Sequence, residues 1–204
     1  MASTSERLRD RRRRQTRREI HVAALHLAQE HGFDKVTVDM ISEAAGVSSR
    51  TFFNYFPSKE AAVLPNPVEL PEASAAEFAL RGDAHPREVL ADLTGLLVRE
   101  MADNPPQREE MHAVFALTRR HPALLAALLA GFEGFQRSIA EVVGQRLGQR
   151  PQDEVPTLIA ALALTAVRTG LERWTSQESP GDEDDSPVPY VERSVEALRS
   201  LLTP

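Results

Sequence analysis

The chain has 204 residues, carries 24 Lys and Arg against 30 Asp and Glu for a net charge of −6, and contains no cysteine. Its length allows one large domain or two small ones, each with a core that needs no staples, and the lack of cysteine excludes a disulfide framework and any Cys-based metal site. No secretory leader is expected behind the Arg-rich N-terminus, and the uncharged run Val155 to Val167 is shorter than the ~20 residues of a membrane span, so the expected location is the cytoplasm and no membrane is expected as a partner.

The charge is unevenly placed. Residues 1–60 carry 11 Lys and Arg against 8 Asp and Glu, whereas residues 61–204 carry 13 against 22. Within residues 1–18 eight arginines, Arg14 and Arg17 among them, stand against only Glu6 and Asp10. A basic end on an acidic body suits contact with a polyanion, and residues 1–15 read as a flexible arm that could make it. A solvated tail would have the same composition.

The remainder is rich in Ala and Leu, sustains no strand alternation and reads as all-α. A first helix is expected from Thr16 to His31, where Ile20, Ala24 and Leu27 recur at i, i+4 and i+7 and Gly32 supplies the stop. Thr37 is the expected N-cap of a second helix, Val38 to Ala45. Gly46-Val47-Ser48 is a tight turn, and Ser48 caps a third helix, Ser49 to Phe56, which Pro57 ends. Ser58 caps a fourth, opened by Lys59 and Glu60 and kept short by Pro65, Pro67 and Pro71. Further helices are expected at about Ala73–Leu80, Pro86–Asp103, Gln107–Arg120, Ala123–Leu147, Asp153–Gln177 and Val188–Leu202, with Glu178 to Ser186 an acidic, mobile loop. The organisation is then an arm (1–15), a three-helix helix-turn-helix domain (16–64) and a C-terminal helical domain (65–204).

Four of the eleven aromatic residues stand at positions 52, 53, 55 and 56. A helix turns about 100° per residue, so Phe52 and Phe56 share a face, while Arg50, Phe53 and Asn54 point the other way, flanked by Thr51 and Tyr55. The first face suits a core with Ile41 and Val47. The second suits a recognition helix in the major groove, its N-terminal residues Ser48, Ser49 and Arg50 toward the DNA. Arg pairs bidentately with guanine, Asn with adenine, and a ring can touch the thymine methyl. Thr37 and Lys59 each begin a helix and are placed for phosphate contact, with Arg14 and Arg17 as further basic candidates. The plainer alternative is a short amphipathic helix packed on its own chain.

These residues carry a resemblance. The run GFDKVTVDMISEAAGVSSRTFFNYFPSKEAAV, Gly32 to Val63, with AALHLAQEHGF leading into it, resembles the TetR (tetracycline-repressor-like) family of bacterial transcriptional regulators. Thr37-Val38, Ile41, Ala45-Gly46-Val47-Ser48, Thr51, Tyr55-Phe56 and Ser58-Lys59-Glu60 stand at that family's spacings. Two positions depart from it: Phe53 replaces a common Tyr and lacks its hydroxyl, and Ser42 replaces a frequent Ala. RTFFNYFPSKEAAV is also similar to the mycofactocin-regulator-like branch. The resemblance implies a homodimer on a near-palindromic DNA operator, usually a repressor. It also implies a small-molecule effector in the C-terminal domain, hydrophobic or acyl-CoA-like, and no cofactor.

Dimerisation is expected through the last two long helices. The run Val155 to Val167 is apolar around much of its circumference, and Val191, Val195, Leu198 and Leu202 recur at helical spacing. An intramolecular core has the same pattern. Phe78, Met101, Met111, Phe115, Phe132, Phe135 and Trp174 are candidates for adaptable pocket walls, although each taken alone is better read as plain core. Arg168 follows the uncharged run and either holds an anionic group or pairs with Glu172 one turn on. An enzyme is not expected: His21, His26 and His31 are spaced five apart and share no face for a metal, and no HExxH, GxSxG or P-loop is present. The remaining alternative is a non-specific DNA-binding or architectural protein, or a helical interaction module without an effector, marked by steep salt dependence without sequence preference.

Overall fold

The structure is a computed structural model that describes residues 4–65, 70–82, 84–176 and 185–202, with backbone only for residues 4–11 and 14. Residues 177–184, most of the acidic stretch expected to be a mobile loop, lie outside the described residues. Every regular element among the described residues is helical. In chain order these are α1 (Thr4–His31), a one-turn 3-10 helix (Phe33–Lys35), α2 (Val38–Ala44), α3 (Ser49–Tyr55), α4 (Lys59–Val63) and α5 (Glu72–Leu80). They continue with α6 (Pro86–Asp103), α7 (Arg108–Thr118), α8 (Pro122–Leu147), α9 (Glu154–Ser176) and α10 (Val188–Leu202).

The first helix corrects an expectation. Residues 4–15, read as a flexible arm, are helical and continuous with α1. Arg is a good helix former, the segment holds neither Gly nor Pro, and Glu6 and Asp10 stand three residues before Arg9 and Arg13, a spacing that favours ion pairs on a helix.

The chain forms two compact units, one of residues 1–66 and 110–129, the other of residues 67–109 and 130–204. In the first, Ile20, Ala24 and Leu25 of α1 meet Ile41 of α2, Phe52 of α3 and Val63 of α4 in one buried cluster. That cluster also takes in Ala113, Val114 and Leu117 of α7 and Leu124 of α8. Helices as short as α2, α3 and α4 do not persist alone in water, so packing and caps must hold them. The expected caps are all made: Thr37 Oγ1 accepts from the Met40 amide at 3.2 Å, Ser48 Oγ from Thr51 at 3.0 Å and Ser58 Oγ from Ala61 at 3.3 Å. Each such cap contributes about 1 kcal/mol. Gly46 takes φ 66 in the turn between α2 and α3, a conformation that L side chains rarely adopt.

Ser42 is a local misfit in this unit. It is buried on α2, and its Oγ has no hydrogen-bond partner among the described residues. An unsatisfied buried hydroxyl is unfavourable, and Ala is the better helix former. Ser42→Ala is therefore expected to stabilise the protein by about 1 kcal/mol, read as a higher urea midpoint with an unchanged slope.

In the second unit, Phe78, Val89, Leu93, Ile139, Val143 and Ala160 are among the side chains of one closed core. Arg146 is buried beside it. Its Nη2 lies 2.7 Å from Asp92 Oδ2, Nε donates to the Gly82 carbonyl at 3.2 Å, and the guanidinium sits 4.7 Å over the Phe78 ring. Helix α10 lies along α9 so closely that a Cβ on Gly170 would come within 2.5 Å of Val191 Cα. α9 runs 23 residues, beyond the uncharged run at both ends, and by length and composition alone it could cross a membrane. Its inner side, including Ile159, Ala163 and Trp174, is buried in the second unit, as in a core helix.

Candidate nucleic-acid interface

Helix α3 has two faces. Phe52 and Phe56 are 0% and 1% exposed, while Phe53, between them, is 57% exposed. The Phe53 ring stands edge-on to Phe52 with centroids 5.4 Å apart, so the core ring fixes the base of the outer one. Arg50 and Asn54 are exposed beside Phe53, and Thr51 and Tyr55 are half-buried at the margins. The outward set is thus an Arg, a ring and an Asn on about two turns of a rigidly seated helix.

The hydroxyls around α3 form its frame. Ser48 Oγ, already the cap, lies 2.8 Å from Thr51 Oγ1. Ser49 Oγ donates to Asp39 Oδ1 of α2 at 2.8 Å and so ties the two helices of the helix-turn-helix together. Thr37 is exposed at the start of α2 and caps it. Asp39 was not among the expected site residues. Its signal in the sequence was weak, because a carboxylate in the first turn of a helix is ordinary.

Two basic residues expected on the DNA are placed differently. Lys59 Nζ donates to the carbonyls of Val36 at 2.9 Å and Phe33 at 3.1 Å, and sits 4.5 Å over the Phe33 ring. It closes the turn that leads into α2. Arg17 is half-buried, with its guanidinium 4.6 Å over the Phe56 ring and Nη1 donating to the Tyr55 carbonyl at 3.3 Å. The side chain of Arg14 lies outside the described residues.

The helix-turn-helix geometry is matched by sequence. The profile of bacterial regulatory proteins of the tetR family matches residues 20–64, and that of the MftR C-terminal domain matches residues 87–202, more than half of the chain. The chain belongs to the TetR family. Two curated relatives agree. The HTH-type transcriptional regulator TcmR of Streptomyces glaucescens is 29% identical over 82% of this chain and 76% of its own length. The mycofactocin biosynthesis transcriptional regulator MftR of Mycobacterium tuberculosis is 28% identical over 83% and 84%. A TetR-family transcriptional regulator from Syntrophomonas wolfei shares the fold, with a TM-score of 0.59 at 18% identity, covering 92% of this chain and 95% of that one. These relatives are transcriptional regulators, not enzymes, and so is this TetR-family chain.

Of the residues expected around an effector, Met111 and Phe115 fall in the first unit, and Phe78, Met101, Phe132, Phe135, Arg168 and Trp174 in the second. Phe135 is buried in the large core, Phe132 is half-buried on α8, and Met101 packs on the smaller cluster of Ala166, Val191 and Val195. Trp174 is 1% exposed, and its Nε1 donates to Asp185 Oδ1 at 2.9 Å, an oxygen that Arg108 also reaches at 2.8 Å. Arg168 is a surface residue paired with Glu172 at 3.0 Å, so it does not stand in a pocket. A cleft of about 290 Å³ does lie between α5 and α6 with one of the candidates, Phe78, in its lining, but the rest of its walls carry Arg81, Arg99, Glu77, Glu100 and Asp103.

Proposed function

We propose that this TetR-family regulator acts in the cytoplasm as a homodimer that binds a near-palindromic operator, represses transcription and is released by a small molecule. The division of α3 into a buried ring face and an exposed Arg50, Phe53 and Asn54 face carries the first part. Arg50 and Asn54 are taken to read base edges, Phe53 to touch a thymine methyl, and the amide ends of α2 and α3 at Thr37 and Ser48 to meet phosphates. Tyr55 lies at the edge of that surface. Two such helices must stand about 34–36 Å apart, one turn of DNA.

Selection from a random DNA library with the full-length protein tests this reading. The expected product is a motif of two inverted half-sites about 10 base pairs apart. Asn54→Ala is expected to lower affinity for that motif by about 1–3 kcal/mol and to relax one position per half-site, with an unchanged melting temperature. Enrichment of no motif, together with steep salt dependence, would favour the non-specific alternative.

For the dimer, Val191 and Val195 are inner residues of the second unit, 0% and 5% exposed, so the expected stripe on α10 is largely intramolecular. The same helices also offer Leu158 on the outer side of α9 and Leu201 and Leu202 at the C-terminal end of α10, all exposed. We assign the dimer face there. The match of residues 87–202 to the MftR C-terminal domain supports an effector site in the second unit, and we take the effector to be acyl-CoA-like. Phe78, Phe135 and Trp174 are buried, so an acyl chain reaching them must displace core contacts. A thermal-shift panel of acyl-CoA chain lengths that moves no melting point would overturn that assignment.

A further inference from the structure

We propose that Arg17 is a positioning residue that clamps the C-terminal end of the recognition helix from α1, and that it makes no contact with the DNA backbone. The inference rests on reading α3 as the recognition helix. Arg17 stands in an Arg-rich segment, and from composition alone it would be one more phosphate-binding cation. Its guanidinium instead lies over the Phe56 ring, 4.6 Å from the centroid, and donates to the Tyr55 carbonyl at 3.3 Å. Tyr55 is the last residue of α3, and Phe56, with φ −136 and ψ 132, has already left the helix.

The carbonyls of a helix's last turn have no partner within the helix, and a cation there is favoured by the helix dipole. The point matters more for α3 than for a long helix, because α3 has seven residues and little internal stability. Its first turn is held by Ser48 and by the Ser49–Asp39 bond. Arg17 supplies a side-chain partner at the other end. It also covers Phe56, the ring that anchors the same end in the core. A planar fork performs both tasks at once, stacking and donating, which an ammonium group cannot do equally well. Freeing this end would let α3 fray from Tyr55 backward, through Asn54 and Phe53.

Arg17→Met keeps the apolar stem over Phe56 and removes the fork; Arg17→Lys restores the charge. In the DNA-free protein, hydrogen–deuterium exchange of a peptide covering residues 49–56 is expected to speed up in Arg17→Met while residues 38–44 stay protected. Affinity for the selected motif is expected to fall roughly tenfold to a hundredfold, the loss of one charge-assisted hydrogen bond. Affinity for random-sequence DNA and the salt slope stay as in the wild type. Arg17→Lys recovers part of both effects. A salt slope reduced by about one, with motif and random DNA weakened equally, would make Arg17 a phosphate contact and overturn the proposal. Unchanged exchange in residues 49–56 would overturn it as well. A wild type that selects no motif would instead defeat the operator reading and leave the exchange measurement to judge the clamp.

Discussion

Phe52→Ala lowers the stability of the first unit by about 3–5 kcal/mol, the range for truncating a buried Phe. The ring is 0% exposed, and it packs against Phe56 at 6.0 Å and Phe53 at 5.4 Å between centroids, within the cluster that holds α1, α2 and α4. The cavity cannot collapse easily, because its walls come from separate short helices, each capped in place. Operator binding should fall with folding. The sharper contrast comes from Phe53→Ala, two rungs of the same cluster apart in effect. That ring is mostly exposed, so its loss should leave stability within about 0.5 kcal/mol of the wild type, as for surface substitutions generally. Urea unfolding of both variants settles the matter. Equal midpoints would mean that α3 does not divide into a core and an outer face, and a lower midpoint for Phe53→Ala would mean that the faces have been assigned the wrong way round.

Gly170→Ala is the second large effect, and its sign runs against helix propensity. Gly to Ala inside a helix ordinarily stabilises by up to about 1 kcal/mol. Here the new Cβ would meet Val191 at 2.5 Å from Cα, 2.8 Å from N and 2.8 Å from Cγ2. Two of those atoms are backbone, so α10 itself must shift. Overpacking of this kind costs about 1–3 kcal/mol, and a displaced helix sits at the upper end. The expected net loss is roughly 2 kcal/mol by urea unfolding, after the propensity gain is subtracted. Because α9 and the C-terminal end of α10 form the proposed dimer face, sedimentation should also show weaker self-association. Gly131→Ala on α8 is the matched control: nothing lies within 4 Å of its Cβ, so it should be stabilising. A Gly170→Ala variant as stable as the control would show that α10 can move aside freely.

Local rules located most helices and the outward face of α3. Thr37, Ser48 and Ser58 announced three starts, and each accepts the expected amide. The alternation of Phe52, Phe53 and Phe56 around a helix of 100° per residue placed the rings correctly. Long-range partners were not legible. Lys59 and Arg17 are the same point charges in the sequence whether they meet a phosphate or a carbonyl, and only the fold shows Val36 and Tyr55 within reach. The Arg168 pair, by contrast, was legible from spacing alone: Glu172 stands one turn on, the ion pair forms at 3.0 Å, and Leu158, Thr165, Arg168 and Glu172 recur along an exposed stripe of α9. Trp174 is buried, as a plain core residue would be, but its partner, Asp185, stands across the acidic stretch, where no helical spacing points to it.

Residues 110–129 carry one more consequence. Ala113, Val114, Leu117 and Leu124 are buried with Ile20, Phe52 and Val63, and the His121 ring stands 5.3 Å from Phe33 with Nδ1 3.5 Å from Asp34. The reading head of this regulator is therefore not a cassette that can be cut at residue 66. A fragment ending there would lack that apolar floor and expose the faces of α1 and α4 that rest on it. A chimera that joins residues 1–66 to a foreign sensor would have to import this helical corner too, or redesign the floor, before its recognition helix could be trusted to hold its place.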